Sequence, residues 1–204
     1  MKTDELPEYI SSLNALRDEY SDRIRIEVGL ETEYLPSYKS YYEYLLGLDG
    51  LDYLINGQHF YEISPGDYNV LHLRETQESR VEGLANAIEA AADSGMFRVI
   101  AHPDRIYSHC REWDDEICRP AALKIITAAG KAGILLEINF ASVRHRRRFR
   151  PKFWELVSSI NEKAEADNKV RVIPGYDLHT EEQFARVERL WSSYGAPDGE
   201  VTER

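Results

Sequence analysis

Glu31, His59, His102 and the pair Asp177 and His179 are the residues of this chain best suited to chemistry. Each follows a short β-prone run, at residues 24–28, 51–55, 97–101 and 170–173. Carboxylate oxygens and neutral imidazole nitrogens are good donors for Zn²⁺, Mn²⁺ or Fe²⁺, and a carboxylate can bridge two such ions. In a parallel sheet or barrel the carboxyl ends of the strands gather on one face, where loops bring distant side chains round one ligand. The five positions therefore predict a shared metal site, with metal-assisted hydrolysis as its chemistry. A lone histidine after a strand is more often a hydrogen-bonded structural residue. Recurrence after four strands weakens that reading.

The elements that must position these residues alternate along the chain, as in an α/β domain with a parallel sheet. Ile10, Leu13, Leu16 and Tyr20 mark a first helix, and a tyrosine-rich helix is expected over 38–46. The Gly-, Pro- and Asn-bearing stretch 57–69 reads as an extended loop. Val81, Leu84, Ile88 and Ala92 share one face of a helix over 78–94 that stops at Gly95. Further helices are expected over 120–129 and 151–166, with a strand over 134–138 between them. Thr180 and Gln183 have capping-box spacing, and Phe184, Val187, Leu190 and Trp191 give the closing helix an apolar face. No linker divides the 204 residues, so one domain over 1–204 is expected, its tail fraying from about 195.

Composition narrows the partners. A formal charge of −11 repels nucleic acid and anionic lipid at long range, so a small phosphorylated substrate suits the chain better than a duplex. The apolar runs fall far short of the roughly 20 residues that cross a bilayer, and Met1 does not open a signal segment. A cytoplasmic protein is expected. Cys110 and Cys118 lack the spacing of a CxxC pair and read as ordinary thiols.

Several motifs, taken in order, resemble those of the polymerase and histidinol phosphatase (PHP) family, on its histidinol-phosphatase branch. Gly29-Leu30-Glu31 looks like the glycine-x-glutamate motif, and Asp52-Tyr53-Leu54-Ile55-Asn56-Gly57-Gln58-His59 like the strand ending in a ligand histidine. Ala101-His102-Pro103-Asp104, Leu136-Glu137-Ile138-Asn139 and Gly175-Tyr176-Asp177-Leu178-His179 resemble the motifs that follow. The resemblance covers nearly the whole chain. It implies a distorted (β/α)7 TIM-like barrel, with up to three divalent ions, Mn, Zn or Fe. It further implies Glu31 as a bridging ligand and His59, His102, Asp177 and His179 as ligands. The implied reaction is hydrolysis of a small phosphomonoester, L-histidinol phosphate being the nearest family substrate, with Glu31 and His179 in catalytic roles.

One departure qualifies the resemblance. The family opens on a strand bearing a histidine-x-histidine pair, whereas the first histidine here is His59. An incomplete barrel missing the first strand region is expected, with fewer ions than the family carries. Its open edge would favour a homodimer.

Five arginines fall in the run Arg144-His145-Arg146-Arg147-Arg148-Phe149-Arg150, placed near the active face by the strand before it. Guanidinium forks bind phosphomonoesters in bidentate fashion. The resemblance points to Arg147 as the phosphate-binding residue, with Arg144 and Arg148 as alternatives in loop register. A solvated basic loop is the competing reading. Glu27 and Glu33 read as strand residues of the alternate face, and Asp104 as a loop-fixing hydrogen bonder. Two further functions stay open: a catalytically inactive PHP-fold interaction protein, and a phosphoesterase for another substrate.

Overall fold

A computed structural model describes residues 3–71, 75–143, 149–165 and 169–185. Five parallel strands, β1 (Gly29–Thr32), β2 (Tyr53–Asn56), β5 (Phe97–Ile100), β6 (Leu135–Asn139) and β7 (Val172–Gly175), form one sheet in the order β1-β2-β5-β6-β7. Between them run α1 (Leu6–Glu19), α2 (Lys39–Leu46), α3 (Gln77–Asp93), α4 (Asp115–Ala132), the short α5 (Phe140–Val143) and α6 (Pro151–Lys163). The α/β class with a parallel sheet is as expected. No described helix is long and apolar enough to cross a membrane.

Local chemistry sets the helix ends. Thr76 caps α3 by accepting from the Ser79 N–H, and Asp114 caps α4 by accepting from Glu116. Gly133, at φ +67°, closes α4 in the left-handed conformation that costs glycine least. Between α3 and α4, Val81, Leu84 and Ile88 bury one apolar face while Ala121, Ala122 and Ile125 bury the other, and small alanines let the helices approach closely. Phe153, Trp154 and Val157 of α6 extend this core.

Three expectations about the elements are corrected. Residues 24–28, rich in isoleucine, form no strand. Side chains take part of their bonding: Val28 N–H donates to Asp52 Oδ2 at 2.6 Å and Ile26 C=O accepts from Arg17 Nε at 2.9 Å, while Val28 C=O accepts from the Asp52 backbone N–H at 2.8 Å. The ladder starts at Gly29, so Glu31 lies within β1 rather than beyond it. The extended loop 57–69 contains a small hairpin, β3 (Glu62–Ser64) and β4 (Asp67–Tyr68), turned by Pro65 and Gly66 with Gly66 at φ +81°. Helix α4 starts at Asp115, well before Pro120, because the Asp114 cap sets its beginning. Of the closing helix, residues 181–185 are helical, with Gln183 N–H on Thr180 Oγ1 at 3.2 Å. Val187, Leu190, Trp191 and the tail lie outside the described residues.

Candidate metal centre

Glu31, His59, His102, Asp177 and His179 all line one cleft of about 550 Å³, together with Glu33, Gly57, Arg105, Ala141 and Gln183. β1 and β7 are the two edges of the sheet, yet residues on or just beyond both reach this cleft, so the sheet curls round it.

Glu31 stands on β1 with its carboxylate over the backbone of Gly57, where a Cβ would collide with it. Glycine at 57 therefore makes room for the carboxylate. His102 follows β5 with φ +35° and ψ +53°, a left-handed backbone that is rare for a residue with a Cβ. That turn aims its ring inward, where Nε2 meets Glu31 Oε1 at 3.1 Å. The backbone N–H of His102 is held by Glu137 Oε2 at 3.0 Å, and the Glu137 carboxylate in turn lies over Gly175. Asp177, at φ +48°, is the second left-handed residue of the cleft. Strained backbone at two cleft positions is a common property of functional sites.

His59 is positioned by its neighbours in sequence. Gln58 is buried, and its Oε1 accepts from Tyr34 N–H at 2.9 Å and Asn56 Nδ2 at 2.8 Å, fixing the exit of β2 to the exit of β1. His59 then faces the cleft, where Glu33 accepts from its backbone N–H at 2.7 Å and contacts its Nδ1 at 2.8 Å. A carboxylate on Nδ1 fixes the tautomer that leaves Nε2 as the free lone pair. His179 is arranged likewise: Nδ1 lies 3.0 Å from the carbonyl oxygen of Asp177, which can only accept, and the backbone N–H donates to Gln183 Oε1 at 2.6 Å.

The donor atoms of Glu31, His59 and His102 lie within 4.8 Å of one another. Asp177 and His179 share the cleft without joining that group. Two ligands at the usual ~2.0–2.1 Å from one ion stand about 3.4 Å apart in a tetrahedron, so the Glu31–His102 spacing fits adjacent positions on a single ion. The donor set of one carboxylate and two imidazoles suits Zn²⁺, Mn²⁺ or Fe²⁺.

The electrostatics favour a charged Glu31. The hydrogen bond with His102 lowers its pKa, outweighing partial burial, and the charges of His102, His59 and Arg105 add to the effect. Burial raises Glu137, against the influence of His102. Burial also pushes Asp104 up to about 6, although the backbone N–H of Arg150 (2.7 Å) and Trp154 Nε1 (3.3 Å) donate to it. Asp104 fixes its loop in this way, tying the turn after β5 to the start of α6.

Arg144, Arg147 and Arg148 lie outside the described residues. Glu33 is a correction: it lies just beyond β1 rather than on the strand's alternate face, and it lines the same cleft as Glu31. Glu27 points elsewhere and pairs with Arg25 and Arg98. The reading of the sequence also passed over Arg105. Its signal was the proline-opened turn after His102, in which positions three apart share a face.

No family model matches the chain. A curated protein of Deinococcus radiodurans named "Probable histidinol-phosphatase" is 30% identical over 148 residues, which is 71% of this chain and 55% of that protein. The chain thus spans about half the length of this relative. The provisionally named histidinol phosphatase hisK of Listeria monocytogenes has a similar crystal structure, with TM-score 0.73 and 18% identity over 95% of this chain and 77% of that one. A histidinol phosphate phosphatase from Lactococcus lactis subsp. lactis Il1403, solved with zinc, L-histidinol and phosphate, gives TM-score 0.66 and 20% identity over 94% and 75%. The chain is thus similar in sequence to part of the Deinococcus protein and similar in fold to the two crystal structures.

Proposed function

We propose that this protein is a metal-dependent phosphomonoesterase that hydrolyses L-histidinol phosphate to L-histidinol and phosphate, on a distorted (β/α)7 barrel of the PHP type. One observation carries the reading: Glu31 on β1, His59 beyond β2 and His102 just after β5 bring their donors within 4.8 Å at the cleft that Asp177 and His179 also line. The curling sheet supports the barrel, and the named relatives support the substrate.

Glu31, His59 and His102 would hold the ion, with Asp177 and His179 as further ligands from the other edge of the sheet. A divalent ion there supplies Lewis acidity, which activates water and offsets charge on a phosphoryl group. The chain's own residues do the rest. Glu33 keeps the lone pair of His59 Nε2 directed into the cleft, and Glu137 fixes the backbone turn that presents His102. His179, with Nδ1 committed to the Asp177 carbonyl, has one nitrogen left for the cleft: Nε2 serves either as a ligand or, where it stays off the ion, to hold or move a proton at the leaving oxygen. Arg144, Arg147 and Arg148 remain candidates for binding phosphate.

A panel of phosphomonoesters, assayed with Mn²⁺ or Zn²⁺, tests the substrate. The expected result is the highest kcat/KM on L-histidinol phosphate. Equal or better turnover of unrelated phosphomonoesters would remove histidinol from the reading, and no phosphate release from any ester would remove the hydrolysis.

A further inference from the structure

We infer that Arg105 is a phosphate-binding residue of the cleft, supplied by the turn after β5. The identification of the anion as a substrate phosphoryl group rests on the phosphatase reading above; the anion site itself does not.

The turn Pro103–Tyr107 is rigid. Pro103, Asp104, Ile106 and Tyr107 are buried within it, and Arg105 N–H closes it on His102 C=O at 2.8 Å. Asp104 accepts from Arg150 N–H and Trp154, while the Arg150 guanidinium donates to the carbonyls of Tyr107 and Cys110. Arg105 is the residue of this turn that is only partly buried, and its side chain lines the cleft with Glu31, His59 and His102. A backbone held this firmly presents the guanidinium at a defined place, which lowers the entropy lost when it takes hold of a ligand.

The guanidinium has no hydrogen-bond or ion-pair partner among the described residues, although Glu31, Glu33 and Asp177 line the same cleft. Elsewhere in this acidic chain, arginines pair readily: Arg17 with Asp52, Arg80 with Glu75 and Arg98 with Glu27. An arginine unpaired beside three imidazoles and a predicted cation site makes that part of the cleft attractive to an anion. A phosphate monoester dianion matches it, since the fork donates two parallel N–H bonds to two phosphoryl oxygens. The competing role is a simple counter-charge for Glu31, which any cation would fill.

The two roles separate by experiment. Inorganic phosphate is titrated calorimetrically into the metal-loaded full chain, as wild type, Arg105→Ala, Arg105→Gln and Arg105→Lys, with metal content and thermal midpoint measured on each. Loss of charge-assisted bonds predicts about tenfold or weaker phosphate binding in Arg105→Ala and Arg105→Gln, with metal content and folding retained and part of the affinity restored by lysine. Wild type that does not bind phosphate, or alanine and glutamine variants within twofold of wild type, would overturn the inference. So would loss of metal in step with loss of phosphate, which marks a counter-charge. Binding that depends on Arg105, in a protein that releases phosphate from no ester, would keep the anion site and remove the phosphatase reading.

Discussion

Glu33 never reaches the candidate ion, yet it decides which nitrogen of His59 does. Its carboxylate receives both the backbone N–H and the Nδ1 of that residue. Removing such a supporting carboxylate generally costs about 10–100-fold in metal affinity. Glu33→Ala should therefore weaken Zn²⁺ or Mn²⁺ binding by that order in calorimetric titration, while the fold persists. Unchanged affinity would show that His59 needs no orienting partner. Asp104 makes a different prediction, because burial lifts it from 3.8 to about 6 and leaves Oδ1 without a partner. The folded state retains this proton to higher pH than the unfolded one. The stabilisation is thus complete below pH 3.8 and is lost as pH rises through 6, by up to about 3 kcal/mol. Urea denaturation of Asp104→Asn in metal-free protein should lack this decline, so its stability relative to wild type should rise between pH 4 and 7. Parallel profiles would contradict the assignment. The five candidate ligands were legible as residues because imidazoles and carboxylates after strands are few. Glu33 was not, since its role depends on a contact with His59, 26 residues away, that only the folded strand exits bring about.

At the scale of elements, the site depends on neighbouring strands approaching closely enough for a glutamate to lie across a glycine. Glu31 of β1 lies over Gly57 just beyond β2, and Glu137 of β6 lies over Gly175 at the end of β7. Gly57→Ala should leave folding within about 1 kcal/mol of wild type, because a flexible carboxylate can move aside. The same movement takes Glu31 away from His102, so metal affinity should fall about tenfold or more. A denaturation curve and a metal titration on the same variant check both halves. Equal loss of stability and affinity would instead mean that the glycine serves the sheet. Helix α3 could be read closely from the apolar spacing of Val81, Leu84, Ile88 and Ala92, and the start of α6 from Pro151. The hairpin β3–β4 could not, because its strands are too short to show a period. The start of α4 was hidden by Pro120, which reads locally as a helix opener while the capping bond of Asp114 sets the true beginning.

Over the whole molecule, order along the sheet is what brings residues so distant in sequence together. Chain order suggested parallel strands with their carboxyl ends on one face, and the described sheet has that arrangement. How far the sheet curls was not legible, since it depends on strand twist and on packing beneath it. Binding an ion must also displace the hydrogen bond between Glu31 and His102. Metal uptake should therefore release protons and weaken as pH falls, a dependence that titrations in buffers of different ionisation enthalpy would detect. The central claim is that Glu31, His59 and His102 form a metal centre that hydrolyses a phosphomonoester. The most direct test is phosphate release from L-histidinol phosphate by wild type and His102→Ala, each stripped with chelator and then reloaded with Mn²⁺ or Zn²⁺. The account predicts turnover by wild type that vanishes on stripping, returns on reloading, and is lost in His102→Ala together with bound metal. Turnover that survives the chelator, or that His102→Ala retains, would contradict it.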